Sequence, residues 1–200
     1  MSGTSTISDW RAVLADAHTA LLTAVAGVGT QDQSLRTPCE QWSVAQVIQH
    51  ATGDQMAFTS AITGGPGPSE NPFTPSGQLD GEPRSLLDPV LVASAEAWAT
   101  VEDDANAVAT PLPQGPMPAW LAGGACALDA AVHAWDIAVA TGQPSALTPE
   151  LARPLLIVAR NIVEPLRTYG AYAPALDTDP GADDVTVLLH YLGRPATWTR

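Results

Sequence analysis

Apolar residues recur every three or four positions along most of the chain, which is the spacing of one face of an α-helix. This pattern predicts helices over about 7–28, from Ser43 to Ile62, and over about 85–108, 118–141, 148–169 and 183–192. Ser43 and Gln46 form a Ser-x-x-Gln capping box at the start of the second helix. Because no segment shows a convincing β-strand alternation, we predict an all-α protein.

Two stretches rich in helix breakers separate these helices. Residues 64–83, "GGPGPSENPFTPSGQLDGEP", are rich in Gly, Pro and Ser, and loops of this length are usually lids, binding loops or disordered segments. The second stretch is "TPLPQGPMP" at 110–118. Four long helices joined in this way predict a four-helix bundle with one or two additional C-terminal helices. We expect a single domain over 1–200, with a core at 5–170 and a C-terminal extension at 171–200.

The charge balance argues against some classes of partner. The net charge is -13, and all eight basic residues are Arg. Nucleic acid and anionic membranes repel such a chain, so we expect neither as a partner. No apolar run is long enough to span a bilayer and no signal peptide is evident, so we expect a cytoplasmic protein. The Arg-only, Ala-rich composition is typical of a GC-rich genome such as that of an actinobacterium.

Polar residues beside the apolar faces of the second and fourth helices are the candidates for a site. His50 and Asp54 share a face of the second helix, and Asp129, His133 and Asp136 lie along one strip of the fourth. If these helices are neighbours, His50 meets Asp129 and His133. Two imidazoles and a carboxylate suit Zn²⁺, Ni²⁺ or Fe²⁺, and three protein ligands leave positions open for catalysis. Asp54 or Asp136 then orients a ligating histidine through its second nitrogen.

Simpler interpretations stay open from spacing alone. Asp129 and His133 are four residues apart, as are many ordinary ion pairs on helix surfaces. We expect His18 and His190 to be solvated or to cap helices.

The remaining polar candidates have two interpretations each. Cys39 and Cys126 are expected to be small buried residues, although Cys39 also precedes the second helix, whose dipole favours a thiolate. Trp42 is expected to pack beside the capping box. Arg194 either recognises a carboxylate or pairs with one of the many surface acids.

Three motifs in order along the chain carry a family resemblance. "TPCEQWSVAQVIQHATG" (37–53), "DAAVHAWDIAVATGQ" (129–143) and "YLGRPATW" (191–198) resemble the signatures of the mycothiol-dependent maleylpyruvate isomerase N-terminal family, in its small actinobacterial members. The resemblance implies a DinB-like bundle that holds a divalent metal.

Carried over by position, the resemblance makes His50, Asp129 and His133 the metal ligands. The family's isomerase has Glu in the place of Asp129, and the wider superfamily most often has His. The shorter Asp129 therefore either ligates or only supports a ligand. The resemblance also implies a second, C-terminal domain in the isomerase, where this chain has a short extension, so maleylpyruvate isomerase activity does not carry over directly.

The resulting hypothesis is a metal-dependent enzyme that activates a low-molecular-weight thiol. Zinc is the expected metal, with nickel or iron as alternatives, and mycothiol is the expected co-substrate. The thiolate would attack a small electrophile in S-transfer or isomerisation, and the protein would be a monomer or homodimer. Two alternatives stay open, and one is a metal-binding or ligand-binding protein without turnover. The other is a metal-free cyclase or isomerase of secondary metabolism in which Asp54, Asp129 or Asp136 is the general acid or base.

Overall fold

A computed structural model describes residues 6–200. The described chain forms six α-helices: α1 (Trp10–Ala26), α2 (Val44–Thr63), α3 (Pro83–Ala99), α4 (Ala119–Thr141), α5 (Pro149–Arg167) and α6 (Asp184–Tyr191). A short 3-10 helix covers Thr30–Asp32, and two isolated β-bridges, Arg36 with Ser43 and Val108 with Met117, are the only strand-like pairings within residues 6–200. The all-α prediction is confirmed.

The first four helices form a four-helix bundle. α4 packs against α1 and α2, and α3 packs against the same two helices from the other side, so α1 and α2 occupy diagonal corners. α5 lies against α4 outside this bundle, and α6 lies against α5. The predicted bundle with two additional C-terminal helices is therefore present, whereas the division at residue 170 stays a prediction. None of the helices in residues 6–200 is both long and apolar enough to cross a lipid bilayer.

α4 is the central helix of the molecule and is buried on almost every side. Its small residues make this possible, because helices approach closely where side chains are short. A Cβ at Gly123 would lie 2.4 Å from Cε3 of Trp10 on α1, and one at Gly124 would lie 2.5 Å from Cγ2 of Val158 on α5. Polar side chains on α4 are therefore held in the interior.

Local signals account for most helix ends. The Ser43–Gln46 capping box at the start of α2 is present in both directions, and Thr148 caps α5. The third helix is shorter than predicted and ends at Ala99 instead of about residue 108. Asp103 and its polar neighbours compete with helical hydrogen bonding, and the Arg11 side chain donates to the Trp98 carbonyl at the end of α3.

His18 corrects a second prediction. It is buried instead of solvated, and its Nε2 lies 2.9 Å from Oε1 of Gln55 on α2. The apolar stripe of α1 passes beside it, and Gln55 supplies the polar partner that burial requires. His190 lies in the last turn of α6 and is partly buried, with its Nδ1 3.0 Å from the carbonyl oxygen of Asp177.

Candidate metal centre

Three potential ligand atoms converge between α2 and α4. His50 projects from α2, and Asp129 and His133 stand one turn apart on α4. Oδ1 of Asp129 lies 3.5 Å from Nε2 of His50 and 3.4 Å from Nε2 of His133. All three ligand atoms lie within 4.8 Å of one another. The sequence predicts that His50 meets Asp129 and His133 if the second and fourth helices are neighbours. The two helices are neighbours, and the three side chains do meet.

Each histidine is oriented through its other ring nitrogen. Nδ1 of His50 lies 2.9 Å from the carbonyl oxygen of Pro72, and Nδ1 of His133 lies 2.9 Å from Oδ2 of Asp136. A carbonyl oxygen only accepts hydrogen bonds, so His50 donates from Nδ1 to Pro72. The ionised carboxylate of Asp136 likewise accepts a hydrogen bond from Nδ1 of His133. Both Nε2 atoms are therefore directed at Asp129 with their lone pairs available in the neutral tautomers.

Three electron-pair donors that face one point need a positive charge between them. Ligand bonds of about 2.1 Å in a tetrahedral zinc site separate ligand atoms by about 3.4 Å, which is close to the distances around Asp129 Oδ1. The second oxygen of Asp129, Oδ2, is buried and has no hydrogen-bond partner among residues 6–200. The donor set therefore fits a divalent cation.

The electrostatics favour positive charge at the same point. Burial disfavours the charged form of His133, but the Asp129 charge and the hydrogen bonds to Asp129 and Asp136 raise the pKa of His133 well above its usual range. Burial likewise opposes ionisation of Asp129, yet the two imidazoles hold its pKa below the usual value. In the metal-free protein a proton on His133 supplies positive charge that a cation would replace.

Asp136 is tied to the C-terminal segment. Arg194 donates from Nε to Oδ1 of Asp136 at 3.0 Å and from Nη2 to Oδ2 at 2.9 Å. Arg194 follows Gly193, whose φ of +79° turns the chain directly after α6. A Cβ at Gly193 would also lie 2.7 Å from Cβ of Ala173. Arg194 thus pairs with an acid, but that acid is fully buried, so the expected partner on the surface is wrong.

Asp54 has a different position from Asp136. Oδ2 of Asp54 lies 3.9 Å from Nε2 of His50, and Asp54 lines the cavity. Asp54 does not orient His50 through Nδ1, because Nδ1 of His50 is bonded to the carbonyl oxygen of Pro72. Burial and the nearby negative charge of Asp129 raise the pKa of Asp54 to about 7. Of the two acids considered from the sequence, only Asp136 therefore reaches the second nitrogen of a histidine.

A cavity of about 540 Å³ opens beside the cluster. The rings of Trp42 and Phe73 stand 4.5 and 5.4 Å from the ring of His50, centroid to centroid. Leu112 and Tyr169 line the same cavity from segments that follow α3 and α5. Sequence reasoning missed Phe73, Leu112 and Tyr169, since loop residues show no periodicity. The length of the loop at 64–83 was the only signal that it belongs to a site.

That loop is ordered along α2. Oε1 of Gln49 accepts from the Gly77 amide at 2.7 Å, and its Nε2 donates to the Gln78 carbonyl at 2.8 Å. Gln46 adds a bond of 3.1 Å to the Pro75 carbonyl. These bonds hold the part of the loop backbone that follows Pro72, whose carbonyl oxygen orients His50.

The two cysteines have different environments. Cys126 is fully buried, as predicted. The buried-residue prediction is wrong for Cys39, which is half-buried and lines the cavity. Nη2 of Arg194 donates to Sγ of Cys39 at 3.1 Å, and Asp136 lies beside it. Cys39, His133 and Asp136 also approach one another closely, but the Arg194 guanidinium already supplies the positive charge there.

Comparison with solved structures shows the fold. The chain is similar to the crystal structure of the mycothiol-dependent maleylpyruvate isomerase, with a TM-score of 0.63 and 19% identity. The match covers 94% of this chain and 90% of that chain. A histidine-to-alanine mutant of the isomerase matches with a TM-score of 0.62.

Sequence comparisons show the family. Uncharacterized proteins from two Mycobacterium tuberculosis strains (CDC 1551 / Oshkosh and ATCC 25618 / H37Rv) are each 34% identical over 173 residues, which covers 82% of this chain and 83% of theirs. The model of the mycothiol maleylpyruvate isomerase N-terminal domain matches residues 14–138, more than half of the chain, and this range includes the His50, Asp129 and His133 cluster. The chain belongs to the mycothiol maleylpyruvate isomerase N-terminal domain family.

Proposed function

We propose that this protein is a metal-dependent enzyme that activates a low-molecular-weight thiol of the mycothiol type for S-transfer to, or isomerisation of, a small electrophile. The observation that carries the proposal is the convergence of His50 Nε2, Asp129 Oδ1 and His133 Nε2 at the wall of a cavity. Family membership and the similarity to an isomerase that is mycothiol-dependent support the choice of thiol. The cytoplasmic location and the monomeric or homodimeric state stay predictions.

His50, Asp129 and His133 would hold the cation, with zinc expected and nickel or iron as alternatives. A divalent cation stabilises a thiolate near neutral pH, and this is the chemistry it would supply here. The Pro72 carbonyl and Asp136 keep the two imidazoles in the ligating tautomer. This assignment includes Asp129 as a direct ligand, because both of its imidazole neighbours face one of its oxygens.

The other cavity residues act on the substrates. Trp42 and Phe73 cover the His50 ring and exclude water from it. Asp54 lines the cavity next to the cluster, so we assign it the exchange of a proton with the substrate. Asp136 does not line the cavity, since Arg194 and His133 occupy its carboxylate, and it acts only by orienting His133.

Metal content is the first test. We expect the purified protein to carry close to one metal per chain and chelation to lower its Tm. Zinc at about a hundred times its Kd should then raise the Tm by about 5–10 °C. Asp129→Asn keeps the side-chain shape but removes the charge, so it should lose the zinc-induced rise. His133→Ala should lose it as well, because a ligand is gone.

His190→Ala is the matched control, because His190 lies on α6 outside the cavity and should leave the metal content unchanged. Metal-free protein whose Tm does not respond to Zn²⁺, Ni²⁺ or Fe²⁺ would contradict the proposal. Stoichiometric metal with no consumption of any thiol and electrophile pair would indicate a binding protein without turnover. Turnover that survives chelation would indicate a metal-free cyclase or isomerase.

A further inference from the structure

We propose that Cys39 is a modification site, where the disulfide of a small, oxygen-bearing thiol exchanges with the Cys39 thiol and leaves one of its halves attached in the cavity. The attached group closes the neighbouring metal-ligand cluster to substrates. The attachment does not depend on the proposed function, and only the closing of the cluster rests on it.

Cys39 is the accessible one of the two cysteines of the chain. Both are free thiols. Cys126 is fully buried in α4, and burial raises the pKa of its thiol. Cys39 is half-buried and lines the cavity of about 540 Å³, a volume typical of pockets for small ligands. A small disulfide that enters the cavity therefore meets a single thiol.

The neighbours of the Cys39 sulfur favour its attack on a disulfide. Nη2 of Arg194 donates to Sγ of Cys39 at 3.1 Å, so a positive charge faces the sulfur while it carries negative charge. The thiol also donates to Oδ2 of Asp136 at 3.4 Å, but Arg194 balances the charge of that carboxylate. The turn is fixed, because the Cys39 amide donates to Oγ1 of Thr37 and the Cys39 carbonyl accepts from the Trp42 amide.

A second observation at the same place indicates a ligand that carries oxygen. Arg194 is only 9% exposed and lines the cavity. Its hydrogen bonds within residues 6–200 come from Nε and Nη2, so Nη1 is left without a partner there. A buried donor without a partner is unfavourable, and a ligand oxygen in the cavity satisfies it. A group attached to Cys39 has this nitrogen within reach, because its sulfur already contacts the same guanidinium.

The attached group lies next to the metal-ligand cluster. Sγ of Cys39 and a ring nitrogen of His133 lie within 4.8 Å of each other, and both residues line the cavity. A group bound through this sulfur therefore fills the space that a substrate needs beside His133.

The exchange needs no oxidant besides the disulfide itself. The Cys39 sulfur attacks one sulfur of the disulfide, forms a new S–S bond and displaces the other half as a thiolate. The proton of the Cys39 thiol passes to the displaced thiolate, which leaves as the free thiol. An excess of free thiol reverses the exchange by the same steps.

The probe for the attachment is bis(2-hydroxyethyl) disulfide, and its matched control is dipropyl disulfide, in which a methyl group replaces each hydroxyl. Intact-mass spectrometry and peptide mapping of chelated wild-type protein should find one adduct per chain, at Cys39, that dithiothreitol removes. Each rate is divided by that of the same disulfide with N-acetylcysteine, and the hydroxyl-bearing probe should then react several-fold faster. No adduct at Cys39, modification mainly at Cys126, or equal normalised rates would overturn the inference.

Variants locate the reaction. Cys39→Ser should form no adduct, whereas Cys126→Ser is the matched control and should form the wild-type adduct, because serine can keep the hydrogen bond to Gln55. Arg194→Met should react more slowly and lose the preference for the hydroxyl-bearing probe, since the cation beside the sulfur is gone. A folded Arg194→Met protein that keeps both the rate and the preference would contradict the inference. If circular dichroism shows that this variant is unfolded, the wild-type comparison of the two probes decides.

The closing of the cluster is measured with acetohydroxamate, which binds open zinc positions and does not reduce disulfides. In calorimetric titrations of zinc-loaded protein, the adduct at Cys39 should weaken acetohydroxamate binding at least tenfold. Treatment of Cys39→Ser with the same disulfide should leave its acetohydroxamate affinity unchanged. Equal affinities of unmodified and modified wild-type protein would overturn the inference.

These outcomes are separable from those of the proposed function. An adduct at Cys39 in a protein that takes up no metal would refute the proposed function alone. Stoichiometric metal without an adduct at Cys39 would refute this inference alone.

Discussion

Asp136 is a fully buried residue whose carboxylate is ionised. Its carboxylate is 0% exposed, and burial of a charge costs several kcal/mol unless the charge is paired. Burial raises the pKa of Asp136, but the positive charge of Arg194 and the hydrogen bonds from His133 and Arg194 outweigh this and hold it below the usual value. Arg194 therefore keeps Asp136 ionised and able to accept from His133.

Arg194→Met should both destabilise the protein and weaken metal binding. The variant leaves a buried carboxylate without its main partner, so the free energy of unfolding should fall by about 3–5 kcal/mol. Zinc affinity should fall about 10–100-fold, because His133 loses its fixed orientation. Urea unfolding and zinc titration measure the two effects.

The control is Arg153→Met, which breaks a surface pair with Asp184 and should cost under about 1 kcal/mol. In the double variant Arg194→Met/Asp136→Asn the buried charge is gone, so part of the stability should return while zinc affinity stays low. Zinc affinity that remains at the wild-type value in Arg194→Met would show that Asp136 does not orient His133.

At the scale of elements, the loop at 64–82 and helix α2 form one functional unit. Gln46 and Gln49 on α2 hold the loop backbone, and the loop returns the Pro72 carbonyl to His50 on the same helix. Gly53 allows this contact, since a Cβ there would lie 2.9 Å from Cγ of Pro72. A glycine inside a helix is thus explained by the close approach of the loop.

Gly53→Ala should lower zinc affinity several-fold with little loss of stability. Alanine improves helix propensity by about 1 kcal/mol, and this gain offsets the cost of the close contact between its Cβ and Pro72. Pro72 must move to make room for the Cβ, so its carbonyl no longer orients His50. Adding Pro72→Ala removes the ring and keeps the carbonyl, so the double variant should regain most of the affinity. Wild-type zinc affinity in Gly53→Ala would contradict the proposed role of the loop.

At the scale of the whole molecule, one buried polar contact links the diagonal helices of the bundle. His18 on α1 donates from Nε2 to Oε1 of Gln55 on α2, and Nε2 of Gln55 donates to the Cys126 carbonyl on α4 at 3.2 Å. Burial lowers the pKa of His18, although the hydrogen bond to Gln55 partly opposes this. The folded protein therefore holds His18 neutral at a pH where the unfolded chain binds a proton.

This difference predicts acid sensitivity. The pKa of His18 is lower in the folded than in the unfolded state, so His18 costs no stability above about pH 6.5 and costs progressively more below it. Between pH 7.5 and 5.5 the wild-type free energy of unfolding should fall by about 1 kcal/mol more than that of His18→Gln. Urea unfolding at the two pH values measures the difference.

His190→Gln is the control, because His190 is only partly buried, and it should keep the wild-type response to acid. If His18→Gln and the wild type lose the same free energy between the two pH values, His18 is not buried in its neutral form. The metal-ligand histidines are common to all three proteins, so their titration cancels in the comparison.

The parts predictable from sequence are those with short-range causes. The start of α2 follows from the Ser43–Gln46 capping box, and the i,i+4 spacing of Asp129 and His133 places them on one face of α4. The end of α3 was predicted wrongly, because apolar residues beyond Ala99 continue the helical pattern while Arg11 and polar neighbours end the helix. The burial of His18 was missed since its partner, Gln55, is on another helix.

The sequence by itself determined the helical class, the family and the three candidate ligands, because helix periodicity, capping and motif spacing act within a few residues. Only the tertiary structure decided that His50 faces Asp129 and His133, that Pro72 orients His50, and that Arg194 neutralises Asp136. Each of these contacts joins segments far apart in the chain. These contacts form because of the way the helices pack and because buried charges must be paired. A sequence pattern over a few residues predicts neither the packing nor the pairing.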